Sequence, residues 1–276
     1  MKKLLTVSLV LALAPTLALA GDKEAIEAYQ EAAKHWKDPD PSQAIAFGEK
    51  ALEQAESKKI RVNVMFLLGS LHQAKTGDFE KALGYYDQII RANIGVSDNT
   101  LKSLKAQSFL GKGTILYSER DDVDNALAAY QAAHRTYPSA QSADTLAQLC
   151  FRIGRDQERG RAARMKQLEY SEKLSREALH HDGEDRNKIK NEARTAKYQL
   201  QLAICLKALE KDDEAQALWG ELKQDALDDN ALYQLAVWQA INGEEAGVVA
   251  ATLRKCIDPA VRPKARARNQ LRKFIR

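Results

Sequence analysis

The sequence has few of the residues that interrupt helices or build strands. Only 6 of its 276 residues are proline and 14 are glycine, and segments in which Val, Ile or Thr alternate with polar residues are missing. Ala, Leu, Gln, Glu, Lys and Arg dominate instead, and these residues lose little entropy in a helix. With 45% hydrophobic and 29% charged residues, the composition is that of a globular protein. We therefore predict an all-α fold.

Long apolar runs are also scarce. After residue 20 no stretch approaches the roughly eighteen apolar residues of a membrane-spanning helix. The first twenty residues combine two lysines at positions 2 and 3, an apolar run from Leu4 to Leu13, and the small-residue pattern Ala18-Leu19-Ala20. This order is typical of a secretory signal peptide that is cleaved after Ala20. We expect a periplasmic mature protein that begins at Gly21, with secretion as the alternative.

Cysteine is rare, with Cys150, Cys205 and Cys256 lying more than fifty residues apart. Because no two of them form a CxxC pair, a metal site or a redox site is not indicated. Cys150 and Cys205 lie within apolar helical segments, so we expect buried thiols that pack as small hydrophobic side chains. In an oxidising compartment a disulfide between these two is the alternative.

The usual signatures of enzymes are missing as well. The sequence has no HExxH, GxSxG or SxxK motif, and its five histidines do not pair with cysteines at ligand spacing. Gly111-Lys112-Gly113-Thr114 lacks the glycine spacing of a phosphate-binding loop. We therefore expect no catalytic residues, no metal and no cofactor, and regard an enzyme with an unrecognised site as the least favoured reading.

Helical periodicity divides most of the chain into hairpins of two helices joined by short polar turns. Thr76-Gly77-Asp78, Arg120-Asp121-Asp122 and Asn242-Gly243 are such turns. A loop at residues 181–185 is expected before a long helix at 188–210. The predicted hairpins cover residues 22–52, 62–92, 101–137, 140–182, 188–222 and 231–256.

The hairpins share a pattern of small and aromatic residues. An alanine opens the second helix at Ala44, Ala82, Ala126 and Ala215, and an aromatic residue follows three of these alanines after four positions. Small residues mark the places where helices cross, and Pro138 ends the third hairpin. This pattern resembles the tetratricopeptide repeat family. The alanines are 38, 44 and 89 residues apart, against a family period of about 34, so several helices must be longer.

The resemblance implies a right-handed superhelical stack of five to six hairpins over residues 21–258, whose first helices line a concave groove that holds a peptide. Outward positions of the first helices would supply an apolar floor with scattered lysines, which favours peptides with apolar anchors and acidic ends. Packing against longer neighbouring helices is the alternative reading for these positions. The candidate residues are Leu67, Leu71, Lys75, Ile115, Glu119, Lys197, Leu200, Ile204 and Lys207.

The C-terminal segment, residues 259–276, is strongly basic. It contains seven basic residues and no acidic residue. Its apolar residues, Ala267, Leu271, Phe274 and Ile275, fall on one face of a predicted helix. A helix that caps the stack is one interpretation, and contact with an acidic partner or an anionic lipid surface is the other. The basic residues are Arg262, Lys264, Arg266, Arg268, Arg272, Lys273 and Arg276.

These observations favour a non-enzymatic scaffold of the bacterial cell envelope that binds another envelope or secreted protein. The alternative is a peripheral module that docks on anionic lipid or an acidic polymer through its basic C-terminal helix. Nucleic acid is not expected as a partner of an exported protein.

Overall fold

A computed structural model describes residues 20–93, 98–184, 192–222 and 229–257. These ranges contain twelve α-helices and no β-strand, which confirms the predicted all-α class for the part of the chain that is described. The helices are α1 (Ala20–Lys34), α2 (Ser42–Gln54), α3 (Lys58–Leu71), α4 (Phe79–Arg91), α5 (Asn99–Glu119), α6 (Val123–Thr136), α7 (Ala140–Gly154), α8 (Arg161–Glu184), α9 (Glu192–Ala208), α10 (Asp212–Glu221), α11 (Asp229–Ile241) and α12 (Ala246–Ile257).

Consecutive helices pair into six hairpins, from α1–α2 to α11–α12, within these ranges. The predicted hairpins are therefore confirmed, with helix ends shifted by a few residues. The expectation that some helices exceed the usual repeat length is also confirmed, because α5 has 21 residues and α8 has 24.

The hairpins form two compact units that divide after Pro138. The N-terminal unit holds α1–α6, and the C-terminal unit holds α7–α12. Within the N-terminal unit α3 packs against α1, α2, α4 and α5, and within the C-terminal unit α9 packs against α7, α8, α10 and α11. Each unit is thus built around one central first helix.

The alanines that mark the second helices lie where helices meet. Ala44, Ala82 and Ala126 are 0% exposed and Ala215 is 1% exposed. A methyl side chain takes up little space, so two helix backbones can approach closely at these crossings. The small residues of the sequence pattern are therefore explained by close helix packing.

In the N-terminal unit, tyrosine rings occupy the space that glycines leave open. A Cβ atom placed on Gly69 of α3 would lie 2.9 Å from the ring of Tyr86, and one on Gly111 of α5 would lie 2.6 Å from it. Tyr86 therefore fills the gap between its own hairpin and the next one, as the resemblance implies. Tyr130 lies in the same way against Gly113, where a Cβ would approach its ring to 2.4 Å.

Tryptophan has the corresponding position in the C-terminal unit. Trp219 of α10 stacks on Trp238 of α11, with ring centroids 4.9 Å apart and planes 17° from parallel. Trp238 is 1% exposed and belongs to a core that also includes Leu200, Ile204 and Ala215. An aromatic residue of one second helix again contacts the first helix of the following hairpin.

Four hairpin turns share one backbone conformation. A single residue with positive φ precedes the second helix: Gly77 (74°), Asp121 (54°), Glu210 (61°) and Gly243 (75°). The residue after Glu210 donates its N–H to the carbonyl of Leu206 at 2.9 Å, which satisfies an end group of the preceding helix. Four of the six described hairpins therefore enter their second helix through a residue with positive φ.

One predicted loop is wrong in part. The sequence predicts a loop at residues 181–185, but residues 181–184 continue α8 to Glu184. The reason is tertiary: Asp182 forms an ion pair with Arg194 of α9 at 2.5 Å and accepts a hydrogen bond from Thr195 at 2.6 Å. These contacts hold the last turn in helical form despite Gly183.

The predicted signal peptide up to residue 19 and the basic segment at 259–276 lie outside the described residues. Among the twelve described helices, none combines the length with the hydropathy that crossing a membrane requires.

The packing of tyrosine on glycine yields a test with a matched control. Gly113→Ala places a methyl group inside the space of the buried Tyr130 ring, and we expect a loss of about 1–3 kcal/mol in the free energy of unfolding from overpacking. Gly84→Ala, on the exposed side of α4 with open space around it, should gain up to about 1 kcal/mol from helix propensity. Urea unfolding of both variants measures the difference. Equal effects would contradict the packing argument.

Candidate interaction surface

The structure buries the apolar residues that the sequence placed on a groove floor. Leu71, Ile115 and Leu200 are 0% exposed, and Leu67 and Ile204 are 1% exposed. Their predicted outward orientation is therefore wrong. The physical reason is that α3 and α9 have neighbours on nearly every side, and Ile115 packs between α4 and α3 in the core that surrounds Tyr86. These five residues stabilise the units.

The polar candidates are half-buried and each has an internal contact. Lys75 donates to the carbonyl of Asp38 at 3.2 Å, and Glu119 accepts from the hydroxyl of Ser118 at 2.8 Å. Lys207 pairs with Asp212 at 2.8 Å. Partner binding by these residues stays a prediction, although their charges are already partly satisfied within the chain.

Lys197 leads to a feature that the sequence did not predict. Its ammonium group lies 2.5 Å from Oδ2 of Asp144 on α7, and the Asp144 side chain is 4% exposed. Gln148, one turn further along α7, donates to the same carboxylate oxygen at 2.8 Å. A buried carboxylate thus joins the first helices of two successive hairpins.

The polar contacts continue onto the next hairpin. Gln201 lies one turn after Lys197 on α9, and its Oε1 accepts a hydrogen bond from Nε2 of Gln234 on α11 at 3.1 Å. Asp144, Gln148, Lys197, Gln201 and Gln234 therefore form a continuous line across three first helices. We call these five residues the polar ladder.

Several polar atoms in and beside the ladder lack a hydrogen-bond partner among the described residues. They include Oδ1 of Asp144, Oε1 of Gln234, Nε1 of Trp238 and Oε1 of Gln239. Native proteins rarely leave buried polar atoms unpaired, since each costs roughly 1–3 kcal/mol. The four named atoms therefore have unused hydrogen-bonding capacity, with more acceptors than donors.

A second polar cluster lies next to the ladder, and its polar side chains are hydrogen-bonded. Ser171 of α8 donates to the carbonyl of Ala147 at 2.7 Å and lies 3.0 Å from the sulfur of Cys205, which also accepts from Gln201 at 3.4 Å. These contacts fix α7, α8 and α9 relative to one another. The cluster therefore supports the ladder from the core.

Cys150 and Cys205 are both 0% exposed, which confirms the predicted burial, and both carry free thiols. Desolvation raises the pKa of Cys150 to about 12 and that of Cys205 to about 11. A thiol with so high a pKa is a poor nucleophile at neutral pH. The side chain of Cys256 lies outside the described residues.

Within the described ranges, no group of three or more His, Cys, Asp and Glu side chains is arranged to hold a metal ion. The only adjacent histidines, His180 and His181, lie on α8, and His181 is 3.4 Å from Glu177 of the same helix.

Sequence reasoning missed the ladder for an identifiable reason. Gln201 and Gln234 stand at positions where the helical pattern calls for apolar residues, and a helical pattern is recognised by its apolar members. Polar residues inside apolar runs, such as Gln201 in Leu200-Gln201-Leu202, were the available signal.

One comparison with known proteins agrees with the repeat architecture of the N-terminal unit. The sequence model of the tetratricopeptide repeat family matches residues 63–93, which span most of α3 and all of α4. The matched hairpin thus resembles a family whose repeats typically bind other proteins. The crystal structure of BtubC (BKLC) from P. vanneervenii aligns with a TM-score of 0.46 at 14% identity, covering 83% of this chain and 94% of that one. No curated protein matches the sequence.

The ion pair at the start of the ladder can be tested against a more exposed pair, Lys207 with Asp212, whose lysine also lies on α9. Lys197→Met leaves the buried Asp144 carboxylate without its counter-charge, and we expect a loss of about 3–5 kcal/mol in unfolding free energy. Lys207→Met should cost less than about 1 kcal/mol, because its partner Asp212 is 64% exposed.

A double variant, Asp144→Leu with Lys197→Met, removes both charges. It should recover most of the loss, since the penalty arises from one unpaired charge rather than from the missing attraction. Chemical unfolding of the four proteins decides the matter. A double variant as unstable as Lys197→Met would contradict this account.

Proposed function

We propose that this protein is an exported, non-enzymatic scaffold that binds an extended segment of a partner protein along the polar ladder. The observation that carries the proposal is the set of unpaired polar atoms along the first helices of the C-terminal unit. The match of residues 63–93 to a repeat family that typically binds proteins supports it.

The chemistry of the ladder indicates which ligand fits. Three of the unpaired atoms are acceptors and one is a donor, so the ligand must supply mostly N–H groups. An extended polypeptide offers backbone N–H and C=O groups at a regular spacing of about 3.3 Å per residue. A peptide backbone therefore meets the requirement.

The ladder selects little by charge. Lys197 is neutralised by Asp144 and Lys207 by Asp212, so the lysines that favoured acidic peptides in the sequence are already paired. We expect a neutral or weakly charged segment, held mainly by hydrogen bonds.

Binding costs free energy because side chains must move, and the new hydrogen bonds to the peptide offset this cost. The unpaired atoms are buried, so the half-buried side chains of Gln148 and Lys197 must shift before a peptide reaches them. Moving a few side chains costs about 0.5–1.5 kcal/mol each. Pairing the buried atoms recovers a comparable amount for each new hydrogen bond, so affinity in the micromolar range is expected.

To test the ladder, peptides that bind the mature chain are first selected from a random display library. Gln234→Ala removes one of the unpaired acceptors and should weaken a selected peptide about fivefold, the equivalent of one hydrogen bond of about 1 kcal/mol. Gln199→Ala, on α9 but outside the ladder, is the matched control and should bind as the parent does. Isothermal titration measures the dissociation constants, and circular dichroism checks that each variant is folded. Unchanged affinity in the Gln234→Ala variant would refute the proposed site.

Export is supported by the first twenty residues, and Asp22 lies just after the expected cleavage site. The Asp22 carboxylate is 4% exposed and accepts from the N–H groups of Glu56 and Ser57 at 3.0 and 2.8 Å. These hydrogen bonds lower the pKa of Asp22 despite its burial. Cleavage after Ala20 would leave this anchor of α1 intact, so the mature chain can keep the described fold.

The cleavage site is checked by mass spectrometry of the protein from bacteria that express the full sequence. The periplasmic fraction should contain a chain whose mass corresponds to residues 21–276. A chain of full length confined to the cytosol would contradict export, and the ladder proposal would then stand on its own.

A further inference from the structure

An open groove runs between α1 and α2 in the N-terminal unit, far along the chain from the ladder. Two adjoining depressions of about 520 and 420 Å³ form it, and both are lined by Phe47 and Lys50. Phe47 is half-buried, and its ring stacks on His35 with centroids 5.7 Å apart. The floor is therefore apolar at its centre.

One wall of this groove is acidic. Glu24, Glu27 and Glu31 of α1 lie at helical spacing along it, with the buried Ala28 between them. Glu24 accepts a hydrogen bond from Gln54, and Glu31 from Lys34. Three carboxylates face one lining lysine, Lys50, so the groove is apolar at the floor and negative at the rim.

These properties define the ligand as a basic amphipathic helix. The span from Glu24 to His35 covers about 17 Å at 1.5 Å per residue, and a helix of about 12–14 residues has the matching length. It must present apolar side chains on one face to cover Phe47 and basic side chains beside them to meet the glutamates.

The chain itself contains one segment of this kind. Residues 263–276 have Ala267, Leu271, Phe274 and Ile275 at spacings that place them on one helical face, with basic residues on the others. The segment has seven basic residues from Arg262 onward and no acidic one, whereas the groove has an excess of carboxylates. Length, apolar pattern and charge all agree.

We propose that the groove between α1 and α2 binds the basic C-terminal segment, residues 259–276, of a second copy of this chain. The contact is heterologous, because groove and segment are different surfaces. A heterologous contact that does not close into a ring adds further copies at each end. The protein therefore self-associates in a head-to-tail manner, and this contact is independent of the polar ladder.

The first experiment compares the mature chain, residues 21–276, with a chain that ends at residue 258. Sedimentation velocity at low salt should show an average mass that rises with concentration for the mature chain and a monomer for the shortened one. Raising the salt to about 0.5 M should weaken association at least tenfold, since exposed charges are then screened within about 4 Å. A mature chain that stays monomeric up to about 100 µM would overturn the proposal.

The second experiment places the contact in the groove. The double variant Glu24→Lys with Glu27→Lys reverses two exposed charges of the wall, and it should weaken self-association at least tenfold. Glu49→Lys with Glu53→Lys makes the same charge change at exposed positions of α2 outside the groove lining, and it should retain most of the association. Equal loss in both variants would mean that net charge, not the groove, drives assembly, and the proposal would fail.

Complementation separates binding between copies from binding within one copy. The shortened chain keeps the groove, and the charge-reversed chain keeps the C-terminal segment, so each alone should be monomeric. Mixed together, they should form a one-to-one complex and nothing larger, because only one contact is possible. A mixture without such a complex would overturn the proposal. Circular dichroism of each variant confirms that the helices are intact.

Discussion

The N-terminal unit depends on tyrosine rings that pack directly against glycines of neighbouring helices. The Tyr86 ring touches the backbone of α3 at Gly69 and of α5 at Gly111, so one side chain sets two helix separations. Any side chain at either glycine would enter the ring. Because the Tyr86 hydroxyl also donates to Gln73 at 2.7 Å, the ring is fixed along its length as well. Tyr130 repeats the arrangement one hairpin later.

The C-terminal unit meets the same requirement by different means. Its aromatic contact is a stacked pair, Trp219 on Trp238, and polar side chains replace part of the apolar packing between its first helices. A core that contains Asp144, Gln201 and Gln234 is less stable than one of leucines, because some of their atoms are unpaired. Such a cost is common at functional sites. This contrast is the reason for placing partner recognition in the C-terminal unit.

The sequence predicts the repeat far better than the surface it presents. Alanines and aromatic residues at fixed spacing indicated the hairpins, because helix crossings accept only small side chains and the gaps need large ones. The orientation of Leu67, Leu71 and Leu200 could not be obtained in this way. α3 and α9 are apolar around most of their circumference, and such helices are buried on all sides. Periodicity locates a core face, but it does not tell how many neighbours a helix has. For a similar reason the sequence could not predict that the charge of Lys197 is already paired, because its partner Asp144 lies 53 residues away along the chain.

The same pairing of distant charges decides how selective each surface can be. In the ladder, Lys197 and Asp144 form an ion pair. A ligand that takes Lys197 away from this pair leaves the buried Asp144 carboxylate without a counter-charge, which costs free energy. Selection there falls to hydrogen-bond geometry, which discriminates by shape and spacing. The groove between α1 and α2 keeps Glu24 and Glu27 exposed, where charge guides encounter and salt weakens it. One surface is therefore suited to a specific, salt-tolerant contact, and the other to a reversible one that responds to ionic strength.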